Sequence, residues 1–89
     1  MKYAPLKDDA WVPLEDVLSD VGEEVVTALD RFPSLNSPHE GWAVIKEEMD
    51  ELWEEVKANR GRGEDALYEA KQVAAMAVRY ILDLREGER

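Results

Sequence analysis

Apolar residues recur along this chain at helical spacing, and no segment alternates apolar and polar residues as a half-buried strand would. Leu14, Val17, Leu18, Val21, Val25, Ala28, Leu29 and Phe32 follow an i, i+3, i+4 pattern. Trp42, Ile45, Met49, Leu52, Trp53 and Val56 form a second stripe, and Leu67, Ala70, Val73, Ala74, Ala77, Val78, Ile81 and Leu84 a third. These patterns predict three amphipathic helices, over residues 13–31, 38–59 and 64–85, behind an N-terminal segment 1–12. The expected fold class is therefore all-α, a single domain spanning 1–89.

The punctuation agrees with these limits. Pro13 suits a first helical turn, where its missing N–H costs nothing, and Pro33 closes the first helix. Ser37-Pro38-His39-Glu40 reads as a helix start, with Ser37 as N-cap, Pro38 at the first position and Glu40 completing a capping box. Arg60-Gly61-Arg62-Gly63 separates the second and third helices. Gly22 falls inside the first helix, either to admit a close neighbour or as a tolerated weak point. Ala74-Ala75-Met76-Ala77 offers a small-residue surface that another helix can approach closely.

Size changes the picture next. A chain of 89 residues buries only about 60–65% of its unfolded surface. It has no cysteine, so neither disulfides nor thiolate metal sites staple it. Two long helices and a third cannot cover one another's stripes, so a bundle completed by homo-oligomerisation is expected.

Charge then narrows the partners. With 11 Lys+Arg against 21 Asp+Glu the formal net charge is −10. A basic face for nucleic acid is lacking, and an anionic membrane surface is disfavoured for the same reason. There is no run of 18 apolar residues and no signal-like apolar stretch at the start, so a cytoplasmic protein is expected. A dense negative field is compatible with divalent cations.

The second helix carries Glu47, Glu48, Asp50, Glu51, Glu54 and Glu55. At about 100° per residue, Glu48, Glu51 and Glu55 form a row on the flank of the apolar stripe. Glu47, Asp50 and Glu54 fall on the far side as ordinary surface charges, with Glu47 able to reach round. Like charges at i, i+3 and i, i+4 repel, and Lys46 and Lys57 are too few to neutralise the row. A divalent cation such as Mg²⁺, which prefers oxygen ligands, would do so. On the third helix Glu69, Gln72, Met76, Arg79 and Asp83 form a matching flank, with Glu69 and Gln72 three apart, as Glu48 and Glu51 are. Antiparallel packing of these helices would bring four oxygen-bearing groups together.

Glu47-Glu48-Met49-Asp50-Glu51 reads as E-E-x-x-E, and Glu69-Ala70-Lys71-Gln72 follows 18 residues after Glu51. Over residues 37–84 the chain resembles the MazG-like all-α nucleotide pyrophosphohydrolases, in particular their short stand-alone or phage-type members. The resemblance implies a MazG-like helical bundle assembled as a homodimer or a dimer-of-dimers tetramer. It implies Mg²⁺, with Mn²⁺ as an alternative, and conversion of a nucleoside triphosphate to the monophosphate and pyrophosphate. Carried over residue by residue, Glu48, Glu51, Glu69 and Gln72 are the implied cation ligands. Glu47, Glu48 and Glu51 are the implied catalytic carboxylates, aiming water in line at the α-phosphorus. Gln72 is a departure, because the family has an aspartate in the second motif and an amide brings no negative charge. Asp83 and Glu55 are the candidates to compensate, although Asp83 lies 11 residues beyond Gln72, about 16 Å along the axis.

Arg79, on the flank shared with Gln72, is a candidate phosphate contact, the plainer alternative being a surface ion pair with Asp83. Lys71 is a further substrate candidate, set against snorkelling or pairing across an oligomer seam. Trp42 is the better placed of Trp42 and Trp53 for stacking on a base, against simple core packing for both. Trp11 is expected to cap an apolar edge, and His39 to hydrogen-bond locally. Two other functions fit the same residues: a nucleotide- or metal-binding regulatory module without catalysis, favoured by Gln72, and an acidic helical interaction protein that uses its charge as a surface.

Overall fold

The computed structural model describes residues 8–85, and the side chains of 13–85. It is all-helical among these residues, with α1 at Asp8–Arg31, α2 at Pro38–Lys57 and α3 at Glu64–Leu84. The first helix starts five residues before Pro13, which therefore lies inside it. Pro13, just past the first turn, removes a single backbone hydrogen bond. The other limits lie within two residues of expectation. Residues 1–7 and the side chain of Trp11 fall outside the described set.

Ser37 caps α2, its hydroxyl oxygen accepting from the Glu40 N–H at 3.1 Å. The Glu40 carboxylate reaches back one residue further than a capping box requires, accepting from the Asn36 N–H at 3.4 Å and the Asn36 side-chain amide at 3.5 Å. At the other end Asn59 takes a left-handed conformation (φ 60°), and the Arg60 N–H returns to the Glu55 carbonyl at 2.9 Å. That reversal sends α3 back antiparallel to α2.

α3 is the central helix. α1 and α2 each pack along it and make no close backbone approach to one another. The buried cluster is Val25, Ala28, Ala75 and Met76, with Val21, Leu29, Val44, Ile45 and Leu82 packed against it. Gly41 permits the tight α2–α3 crossing, since a Cβ there would stand 2.4 Å from a Tyr80 ring carbon. Gly22 meets nothing within 4 Å, so it is a tolerated weak point.

The covered faces differ from the predicted ones. α3 buries Ala66, Gln72, Ala75, Met76, Arg79 and Asp83, while no member of its predicted apolar stripe is buried and Leu67, Val78 and Ile81 are exposed. α1 and α2 lie against the flanks of α3 and converge on its mixed polar side, which leaves Leu67, Ala70, Val78 and Ile81 of the apolar stripe exposed and Val73, Ala74, Ala77 and Leu84 half-buried. In α2 only Ile45 and Leu52 of the predicted stripe are half-buried, and Trp42, Met49, Trp53 and Val56 are exposed. The radius of gyration is 14.6 Å and the extents are 39 × 36 × 21 Å, against about 12 Å for a compact domain of this length. The chain is an open, flattened arrangement with a thin core.

Candidate functional site

Antiparallel packing brings Glu69 of α3 beside the i, i+3 pair Glu48 and Glu51 of α2. One carboxylate oxygen from each lies within 4.8 Å of the others. Among the described residues no other group of three His, Cys, Asp or Glu side chains comes this close. The arrangement raises the Glu48 carboxyl from its ordinary 4.5 to about 7, through burial first, then through the neighbouring Glu51, Glu69 and Glu47 charges. Glu69 is also pushed up, by burial and by Glu51, partly offset by a hydrogen bond with Glu48. One Glu69 oxygen is buried without a hydrogen-bond partner.

Three carboxylates held this close fit a hard divalent cation. The cation would take carboxylate oxygens as ligands, relieve the mutual repulsion and satisfy the orphaned oxygen. Glu48, Glu51 and Glu69 would hold it.

Beside this cluster a cleft of about 440 Å³ opens between α1 and α2, with α3 as its floor. Glu24, Glu47, Glu48, Tyr68 and Gln72 line one end, and Arg31, Phe32 and Arg79 the other. Glu47 thus reaches the cleft wall while staying exposed. Gln72 does not join the three carboxylates: its amide donates to Glu24 Oε2 at 2.8 Å. Lys71 lies 3.7 Å from the same Glu24 carboxylate and sits over the Tyr68 ring at 5.4 Å. Its side chain borders a different groove, between α1 and α3.

Arg79 is 5% exposed, so its ion pair with Asp83 (Nε to Oδ2, 3.4 Å) is buried and not on the surface. Arg79 Nη2 donates to the Pro33 carbonyl, the Phe32 ring covers the guanidinium at 5.8 Å, and Asp83 accepts from the Leu35 N–H at 2.9 Å. This cluster ties the α1–α2 connection to the end of α3 and fixes Arg79 at the cleft edge. Asp83 is committed there, away from the carboxylates. Glu55 bonds Arg60 at 2.9 Å, which holds its carboxyl below the ordinary range.

Trp42 lies outside the cleft, on a shallow recess shared with Pro38, His39 and Tyr80, and is 55% exposed. Trp53 is equally exposed. Aromatic faces do reach the cleft, but they belong to Phe32 and Tyr68. These two and Glu24 were not legible as site residues, because their relevance depends on where α1 lies against α3.

No described helix is long and apolar enough to cross a membrane. Comparison of the chain with family models, with curated proteins and with solved structures gives no match.

Proposed function

We propose that this chain is a divalent-cation-dependent nucleoside triphosphate pyrophosphohydrolase of the MazG-like kind, working as a homo-oligomer with Mg²⁺ or Mn²⁺. The observation that carries the reading is the convergence of Glu48, Glu51 and Glu69 beside a cleft of about 440 Å³, of whose wall Glu48 is part. A bound divalent cation would neutralise phosphate oxygens and polarise the scissile anhydride. Glu47 borders the same wall and can accept a proton from attacking water. Arg79, held in place by Asp83 and the Pro33 carbonyl, and Arg31 beside it offer guanidinium groups at the opposite end of the cleft, where they can balance phosphate charge. Phe32 and Tyr68 offer ring faces to a base.

The test is release of pyrophosphate from a panel of ribo- and deoxyribonucleoside triphosphates with Mg²⁺ or Mn²⁺. The reading requires turnover of at least one, lost in Glu51→Gln. The absence of pyrophosphate from every substrate overturns it.

A non-catalytic nucleotide or cation binder is the second reading, favoured by the engagement of Gln72 with Glu24 outside the carboxylate cluster. It predicts cation binding without turnover, with turnover appearing in Gln72→Asp.

A further inference from the structure

We propose that a second copy of this chain docks on the outward face of α3, antiparallel, about a two-fold axis passing near Ala74. This deepens the homo-oligomer of the proposed function by naming its seam, and it does not depend on the nucleotide chemistry.

The first observation is the face itself. Leu67, Ala70, Ala74, Val78 and Ile81 form a continuous stripe without a charge, in a chain of net charge −10. Leu67 is 62% and Ile81 57% exposed, although they carry the periodicity of a buried helix face. Val17 of α1, also exposed, widens the patch. α3 is about 30 Å long, and helices pack about 10 Å apart. A patch two helices wide therefore covers on the order of 600 Å² per protomer, or about 1,200 Å² for a pair, above the roughly 1,000 Å² that a specific interface needs.

The second observation is self-complementarity. An isologous contact pairs residue i with j and j with i. About Ala74, Leu67 falls opposite Ile81, seven residues away on either side, and Ala70 opposite Val78. Ala74 meets its own counterpart, where a methyl side chain lets the two backbones come close. A mostly apolar groove of about 410 Å³ runs beside Leu67, Ala70 and Ala74, with Val17 and Val21 as its other wall and Asp20 and Lys71 also lining it. The two-fold places the protruding Ile81 and Val78 of each copy over the groove of the other.

The third observation is charge. α3 opens with Glu64 and Asp65 and has no basic residue in its last turn, but Arg85 caps its C-terminal end. Antiparallel docking sets Arg85 of each copy near Glu64 of the other, whereas a parallel arrangement would stack like charges at both ends.

Light scattering and single-cysteine cross-linking test the seam, and a chain without cysteine makes the second measurement clean. We expect twice the protomer mass at micromolar concentration and its halving in Leu67→Glu with helical content retained. On mild oxidation Ala74→Cys should link to itself. Leu67→Cys should link to Ile81→Cys when the two are mixed, and neither should do so alone. Ala43→Cys on exposed α2 is the control. If Leu67→Glu does not fold, the cross-links decide. A monomeric wild type, a dimer untouched by Leu67→Glu, or Ala43→Cys linking as readily as Ala74→Cys overturns the seam. Loss of pyrophosphate release with the cross-links intact would overturn the enzymatic reading alone.

Discussion

Replacing Glu48 with glutamine should make the protein more stable at alkaline pH. Glu48 is raised from 4.5 to about 7, mostly by burial and by Glu51. Below about pH 4.5 the group is protonated whether the chain is folded or not. Between 4.5 and 7 the folded protein keeps a proton that the unfolded chain has released, so stability falls as pH rises through this window. Above 7 the whole cost of holding an ionised Glu48 beside its neighbours remains. At about 1.4 kcal/mol per pH unit that cost is about 3 kcal/mol, and solvent screening at a side chain that keeps contact with water lowers it to the order of 1–2 kcal/mol. For a domain of this size, 1 kcal/mol is about 4–8 °C in Tm. Thermal unfolding at fixed protein concentration in EDTA, from pH 5 to pH 8.5, should therefore show a fall in Tm for the wild type. Glu48→Gln should show a smaller fall and a Tm several degrees higher at pH 8. Parallel curves for the two proteins would refute the argument, because negative charges away from the Glu48 cluster contribute equally to both.

Three other substitutions probe the packing. Gly41→Ala would drive a methyl group into the Tyr80 ring, whose nearest carbon is 2.4 Å from the new Cβ position; urea unfolding should show a loss of about 1–3 kcal/mol. Gly22→Ala meets open space inside a helix and should gain about 0.5–1 kcal/mol in the same assay. Asp83→Asn would leave the guanidinium of buried Arg79 without its anionic partner. A loss of about 3 kcal/mol is expected, and an unchanged midpoint would show that the Pro33 carbonyl and Phe32 suffice to hold Arg79.

Helix number, helix order and the breaks between helices were legible in the sequence, because periodicity, caps and Gly/Pro punctuation are local properties. The pairing of Glu48 with Glu51 was legible for the same reason, and the meeting with Glu69 followed once antiparallel packing was assumed. Whether Pro13 opens the first helix or lies within it was not legible, since a proline is compatible with both. The place of Gln72 was also hidden: its flank was readable, but its partner Glu24 comes from a helix whose register against α3 no local signal sets.

An apolar stripe records that a surface avoids water and not which neighbour covers it. The sequence alone determined three amphipathic helices, an acidic row and a chain too small to bury all three stripes. Tertiary packing decided that α3 would turn its mixed side, with Gln72, Arg79 and Asp83, toward α1 and α2, and leave Leu67, Val78 and Ile81 outside. Side-chain fit among helices, such as the contact of Gly41 with Tyr80 and the burial of Arg79 with Asp83, depends on atoms distant in the chain, and that fit chose the faces.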